Sequence, residues 1–194
     1  IPAFGVAMVV CAIVGIIIER VAYRPLRKSH KLSQLITAIA VSLFLQNLLA
    51  LFFGNEIKTF RTGQIVKGLE IFKGTPIEIV ITPTQITIIL TAIVLMVALE
   101  LFVKRTKMGK AIRAASDNPE LSTVLGIDTN KVITVAFAIG SGLAAAAGVL
   151  IALEQNIEPT MGVVPGVKAF TAAVVGGIGS IPGAMVGGMF IGLA

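Results

Sequence analysis

Long apolar runs separated by short charged segments constrain the fold of this 194-residue chain more than any other feature. A helix needs roughly 20 mostly apolar residues to cross the hydrocarbon core of a bilayer. Four runs approach or reach that length: Ile1–Ile18, Leu32–Phe53, Thr84–Val103 and Val132–Leu153. Because the chain is 56% hydrophobic and only 13% charged, it has too little charge to cover a water-soluble surface of this size. We therefore predict an all-α, polytopic transmembrane helical bundle.

A fifth apolar stretch, Phe170–Ala194, is interrupted by glycines and a proline between Gly176 and Gly183. Glycine and proline break or kink helices, so this cluster predicts a short half-helix followed by a longer span. The prediction is about five membrane segments, of which the last is broken.

The net charge of +6 arises from Lys and Arg in the loops between the apolar runs, which indicates membrane orientation and not nucleic-acid binding. Cytoplasmic loops carry the excess of positive charge. The loops 19–31 and 104–131 are therefore predicted to be cytoplasmic, and the loop 154–168 to face outward. In the loop 54–82 basic residues outnumber acidic ones, so its outward position is predicted from the alternation of the spans and not from its charge. In the second loop, glycines and β-branched residues near Ile77–Thr82 predict a small external hairpin.

The chain begins at Ile1 and ends at Ala194 within an apolar run. We expect residues 1–194 to be one transmembrane domain, truncated at both ends.

The third loop, residues 104–131, is too long and too ordered in its pattern to be a simple tether. Asn118 is suited to cap a helix that starts at Pro119, and Gly126 is suited to end it. This short amphipathic helix would lie parallel to the membrane in the cytoplasm. Its apolar residues Leu121, Val124 and Leu125 would pack against a partner, against the ends of the spans or on the bilayer interface, and the pattern alone does not choose among these.

Polar and small residues follow defined helical stripes within the spans. In the second span Gln34, Ser42, Gln46 and Asn47 should face other helices or a wet cavity, and interhelical hydrogen bonding is the simpler interpretation. Glu100 and Lys104 are spaced for an ion pair, and Thr84, Thr87 and Thr91 for bonds to their own helix. Two ladders of small residues predict close helix packing: Ala136, Gly140, Ala144, Gly148 and Ala152, and then Gly176, Ser180, Ala184, Gly188 and Gly192.

No residue pattern indicates catalysis, a cofactor or a metal. His30 is the only histidine and lies in a basic loop without other ligands, and Cys11 has no partner for an internal disulfide. The sequence also has no Gly-x-x-x-x-Gly-Lys-Ser/Thr phosphate loop, so it carries no ATP site of its own.

Several motifs resemble one membrane-protein family. The third loop, with Ala114-Ala115 and Gly126-Ile127, is similar to the coupling loop of ATP-binding-cassette (ABC) importer permeases. The chain resembles the branched-chain amino-acid permease family in these further segments: Glu19-Arg20, Tyr23–Leu26, Ala136–Gly148, Pro159–Gly162, Lys168–Phe170 and Gly176–Ala184.

The resemblance implies the permease subunit of an ABC importer for branched-chain or related amino acids in the inner membrane of a prokaryote. Implied partners are ATPase subunits, a second permease subunit that is related but not identical, an extracytoplasmic substrate-binding protein and the lipid bilayer. It also implies an ATPase-docking coupling loop within residues 104–131, comprising Gly109, Arg113, Ala114, Ala115, Asp117, Asn118, Leu121, Gly126 and Ile127. The candidate pathway or gate residues are Gln34, Ser42, Gln46, Asn47, Pro159, Gly162, Gly176, Gly177, Gly179, Ser180 and Pro182.

The break in the fifth segment is compatible with several roles. The N-terminus of a half-helix can bind the carboxylate of a zwitterionic amino acid, but a hinge or an external gate would leave the same pattern. Two other functions also remain open. An ion-coupled secondary transporter would require an unpaired acid inside a span, and a non-transporting membrane scaffold would need neither the break nor the ordered loop.

Overall fold

A computed structural model describes residues 2–26, 31–54, 56, 69–71, 79–177 and 179–193. Arg27, Lys28, His30 and most of the loop between the second and third spans lie outside the described residues. The helices are α1 (Pro2–Ile18), α2 (Arg24–Leu26), α3 (Lys31–Phe53), α4 (Pro83–Arg105), α5 (Lys107–Asp117), α6 (Pro119–Val124), α7 (Thr129–Glu154), α8 (Val163–Val175) and α9 (Ile181–Leu193). A π-helical turn, Glu19–Tyr23, joins α1 to α2.

The prediction of a polytopic helical membrane protein is confirmed. Within the described part of the chain, four helical segments are long and apolar enough to cross a membrane: Ala3–Leu26, Ile36–Phe53, Pro83–Arg105 and Thr129–Glu154. The predicted hairpin is present as two short antiparallel strands, β1 (Leu69–Ile71) and β2 (Ile79–Ile81), in which Glu70 pairs with Val80.

The main helix contact joins α1 and α7, the first and last of the long helices. Gly15 of α1 lies against Ser141 of α7, and Glu19 lies against Thr134, so the two helices run antiparallel. An antiparallel pair is what alternate crossing requires of the first and fourth spans.

The small-residue ladder predicted along α7 is not its packing face. Gly140 and Ala144 are exposed, whereas Gly142, Ala145 and Ala146 are buried. Because α7 carries small residues on neighbouring faces, spacing alone does not identify the one that meets α1. The packing face of α7 depends on α1, because Gly15 has no side chain and so allows the side of α7 that carries Ser141 to approach closely.

Gly15 makes the close approach of α1 and α7 possible. A Cβ at this position would lie 2.1 Å from Ser141 Oγ and 2.6 Å from Ser141 Cβ. We therefore expect Gly15→Ala to destabilise the protein by about 1–3 kcal/mol, and Ser141→Gly to restore much of that loss. Thermal unfolding in detergent of both single variants and the double variant measures the coupling. Additive effects would show that the two residues are not in contact.

Glu19 is not the loop residue that the charge pattern indicates. It continues the helix of the first span, is 0% exposed and accepts a 2.8 Å hydrogen bond from Thr134 Oγ1. The main-chain N–H of Arg24 donates to the Glu19 carbonyl oxygen, which is the bond pattern of a π-helical turn. A buried acid in a span is the feature expected of an ion-coupled carrier, but this carboxylate is hydrogen-bonded to α7.

Candidate functional site

The loop between α4 and α7 forms two helices, α5 and α6, and the predicted cap between them is confirmed. Asn118 Oδ1 accepts hydrogen bonds of 3.1 Å from the main-chain N–H groups of Glu120 and Leu121. Pro119 is the first residue of α6, and Gly126 follows its end with a φ of +82°. These bonds satisfy N–H groups that a helix start otherwise leaves without partners.

The first of these helices, α5, was not predicted. Its N-cap is Thr106, whose Oγ1 accepts a 3.0 Å bond from the Gly109 N–H. The signal in the sequence was the spacing of Met108, Ile112 and Ala115, which puts three small or apolar residues on one face of a helix. The many lysines and arginines nearby mask this spacing when the segment is judged by charge alone.

α5 connects two of the long helices. It contacts α4 on one side and α7 on the other, and it also contacts α6. Gly109 is buried against the end of α4, where a Cβ would lie 2.5 Å from main-chain atoms of Phe102 and Val103. Ala115 of α5 and Val132 of α7 are buried as well. α5 is therefore packed against both α4 and α7.

The α6 helix carries an exposed apolar patch. Leu121, Val124 and Leu125 are 61%, 84% and 78% exposed, and we call these three residues the α6 patch. Among the described residues, no apolar side chain covers these three. Packing of this patch against the ends of the spans, one of the alternatives left open by the sequence, is therefore not observed. Ser122, by contrast, is buried.

The other predicted coupling-loop residues differ in how far they are exposed to solvent. Gly109 and Ala115 are buried and position α5, so they are not available as surface contacts. Arg113, Asp117, Asn118 and Gly126 are exposed, and Ala114 and Ile127 are half-buried.

Asp128 caps α7 at the end of this loop. Its carboxylate accepts a 3.2 Å bond from the Lys131 N–H and lies 3.2 Å from Lys131 Nζ. The main-chain hydrogen bond from Lys131, and then that residue's ammonium group, lower the pKa of Asp128. The carboxylate is therefore ionised at neutral pH, and its negative charge interacts favourably with the partial positive charge at the start of α7.

The broken fifth segment is a hairpin of two short helices. α8 and α9 have 13 residues each, or about 20 Å, whereas a bilayer core is about 30 Å thick. Gly176 lies against Gly183, and Ala172 against Gly187, so the helices are antiparallel and meet through small residues. The segment begins at Val163, earlier than the predicted Phe170, because Lys168 lies within α8 and not in a loop.

The hairpin bend contains five of the eleven predicted pathway or gate residues, namely Gly176, Gly177, Gly179, Ser180 and Pro182. Gly177 and Gly179 have φ values of +93° and +98°, which non-glycine residues rarely adopt. Ser180 Oγ accepts a 3.2 Å bond from the Gly183 N–H and caps α9. Pro182 lies in the first turn of α9, where a missing N–H is tolerated. The second predicted ladder is correct at Gly176, Ala184 and Gly188, which lie at the contact between α8 and α9. Gly183 and Gly187 also belong to this contact, whereas Ser180 caps α9 and a Cβ at Gly192 would meet none of the described residues within 4 Å.

The polar residues of α3 are bonded locally. Gln46 Nε2 donates to Ser42 Oγ at 3.1 Å, and Asn47 Nδ2 donates to the Leu43 carbonyl at 2.8 Å. Gln34 Nε2 donates to the Leu26 carbonyl at 3.4 Å. The bonds of Gln46 and Asn47 lie within α3, whereas the bond of Gln34 reaches α2 at the end of the first span. The expected interhelical hydrogen bond is therefore observed for Gln34 and not for the other two residues within the described part of the chain.

In α4 the predicted ion pair is confirmed, and the predicted bond from a threonine to its own helix is confirmed at Thr87 but is not observed at Thr84 or Thr91 among the described residues. Lys104 Nζ lies 2.5 Å from Glu100 Oε1, and Thr87 Oγ1 donates to the Pro83 carbonyl at 3.0 Å. Both are contacts within one helix, and neither indicates a pathway.

These features define a multi-pass helical membrane protein with an ordered helix pair between two spans and a helical hairpin after the last. The family model described as "Branched-chain amino acid transport system / permease component" matches residues 1–194, and the chain belongs to this family. It is a family of transport components and not of catalytic enzymes.

Individual relatives agree with the family match. The high-affinity branched-chain amino acid transport system permease protein BraD of Pseudomonas aeruginosa is 43% identical over 99% of this chain. LivH of Escherichia coli, described in the same words, is 44% identical over 97%. The probable branched-chain amino acid transport permease protein LivH of Methanocaldococcus jannaschii is 32% identical over 97%. The chain spans 62%, 61% and 60% of their respective lengths. No solved structure gives a significant match.

Proposed function

We propose that this chain is the membrane-spanning part of an ABC importer permease that carries branched-chain or related amino acids across the cytoplasmic membrane of a prokaryote. Its partners are ATPase subunits, a second, related permease subunit and an extracytoplasmic substrate-binding protein. ATP hydrolysis belongs to the ATPase subunits. Family membership and the names of the relatives support this assignment.

The observation that carries the proposal is the α6 patch. It is an exposed apolar surface on a helix pair outside the long spans, and α5 fastens that pair to both α4 and α7. Exposed apolar surface of this kind marks a site of contact with a protein or with the membrane. The proposed occupant is an ATPase subunit, whose closure would displace α5 and α6 as one body and so move the two spans.

The cytoplasmic position of the helix pair follows from its charge. Lys104, Arg105, Lys107, Lys110 and Arg113 are concentrated at the end of α4 and in α5, and short loops rich in Lys and Arg remain inside.

The hairpin is the proposed gate. If α8 enters the membrane from its own start, the bend at residues 176–180 lies at membrane depth, where non-helical main chain must be covered by protein or line a water-filled cavity. Residues 155–162 join α7 to α8, and we call them the connector. Pro159 and Gly162 belong to this connector.

The test is association with the ATPase subunits. We expect Val124→Glu together with Leu125→Glu to abolish co-purification of those subunits with the full-length permease, because the new charges would have to be buried without partners. Lys110→Glu adds an acid at an exposed position of α5 outside the α6 patch and should leave association intact. Membrane insertion of every variant is verified by membrane fractionation. Co-purification that survives both glutamates would remove the patch as the docking site.

A further inference from the structure

Lys168 is an unusual residue for its position. It lies in the second turn of α8 and is the only charged residue between Val163 and Ala194. Its side chain is exposed, and among the described residues it forms no ion pair. A charge in an apolar membrane helix is costly unless it faces a water-filled cavity or a partner, so such a residue points to a functional site.

Lys168 faces a cavity of that kind. The cavity has a volume of about 730 Å³ and lies between the end of α7, the connector and the start of α8. Glu158, in the connector, lines the same cavity and likewise forms no ion pair among the described residues. The lining of the cavity therefore includes a cation and an anion, and neither forms an ion pair within the described chain.

The rest of the lining is mixed. Gln155 and Thr160 supply neutral hydrogen-bonding groups, whereas Ile151, Met161 and Val164 supply apolar surface. The volume is within the usual range for small-molecule sites. The first turn of α8 also borders the cavity, and the start of a helix carries partial positive charge.

A free α-amino acid is the ligand that matches this arrangement. Its carboxylate requires a cation, its ammonium group requires an anion a few bonds away, and a branched side chain requires apolar surface. We propose that the cavity is an amino-acid subsite of the transport pathway in which Lys168 binds the α-carboxylate, Glu158 binds the α-ammonium group and the apolar wall receives the side chain. This assignment rests on the proposed function and adds the residues that recognise the substrate.

The experiment uses the full-length permease with its partner subunits in proteoliposomes. A Thr160→Cys reporter is introduced after the native cysteines, including Cys11, have been replaced, and the rate of its modification by a water-soluble thiol reagent is measured. L-leucine, without the binding protein, should slow this modification. Leucinamide lacks the carboxylate and 4-methylpentanoate lacks the ammonium group, so neither should protect.

Variants separate recognition from structure. Glu158→Gln and Lys168→Gln should each raise the leucine concentration for half-protection about tenfold or more, since each loses a hydrogen bond to a charged group. Lys168→Arg keeps the charge and should retain protection. Glu154→Gln removes an exposed acid at the end of α7 that does not line the cavity, and it should have no effect.

The outcomes are distinguishable. Protection that is unchanged in both Gln variants, that is given equally by the two analogues, or that requires the binding protein would overturn the subsite. Absence of protection in a wild type that takes up leucine would do the same. Absence of ATP-driven leucine uptake by the wild type would instead contradict the proposed function, and the labelling would still report whether leucine occupies the cavity.

Discussion

Gly183→Val is expected to open the α8–α9 hairpin and reduce transport to background. A Cβ at Gly183 would lie within van der Waals overlap of the Gly176 carbonyl oxygen and 3.0 Å from the Gly176 carbonyl carbon. Overpacking of side chains ordinarily costs about 1–3 kcal/mol. Here the obstructing atoms are main chain and cannot rotate away, so the two helices must separate.

An engineered disulfide between α8 and α9 would report directly whether the two helices are packed together. A Cβ at Gly188 would lie 3.9 Å from Ala172 Cβ, a distance that suits a disulfide. The pair Ala172→Cys and Gly188→Cys should therefore cross-link in an otherwise cysteine-free permease, and Gly183→Val should prevent the cross-link. Gly192→Val is the matched control, because nothing lies within 4 Å of a Cβ there. Unchanged cross-linking and uptake in Gly183→Val would show that α8 and α9 are not packed in this way.

If an ATPase subunit docks on the α6 patch as proposed, Gly109→Val is expected to uncouple transport from ATP hydrolysis while the spans remain inserted. The new side chain would meet main-chain atoms of Phe102 and Val103 at 2.5 Å and displace α5 from the end of α4. The α6 patch would stay exposed for docking, but its movement would no longer reach α4. The measurement is leucine uptake per ATP hydrolysed in proteoliposomes.

The control for this variant is Lys110→Val, which places the same β-branched residue at the exposed neighbouring position of α5. It lacks the contact to α4, and it carries a cost in helix propensity that Gly109→Val does not, since Lys is a better helix former than Val and Gly a poorer one. A defect confined to Gly109→Val therefore cannot arise from propensity. A normal ratio of uptake to hydrolysis in Gly109→Val would show that the corner between α4 and α5 does not transmit the movement.

The long helices were predictable from sequence because length and apolarity decide them locally. α7, for example, runs from Thr129 to Glu154, close to the predicted Val132–Leu153. The cap at Asn118 was predictable for the same reason, since it depends on residues within one turn.

Which face of a helix packs was not predictable. The ladder along α7 failed because only the position of Gly15 in α1 selects the side that carries Ser141. Glu19 and Lys168 were assigned to loops because charge was taken as the mark of a loop. A buried hydrogen bond to Thr134 places Glu19 in a helix, and a cavity beside α8 accommodates Lys168. Both depend on contacts between distant segments.

The pairing of α1 with α7 has a consequence for biosynthesis. Glu19 and Thr134, which join the two helices, are 115 residues apart. At about 5–20 residues per second, the ribosome needs roughly 6 to 25 seconds to make the second after the first. During that interval the Glu19 carboxylate lacks its bond from Thr134, although it already belongs to a helix bound for the bilayer. The contact between α1 and α7 can therefore form only after the chain up to α7 has been made.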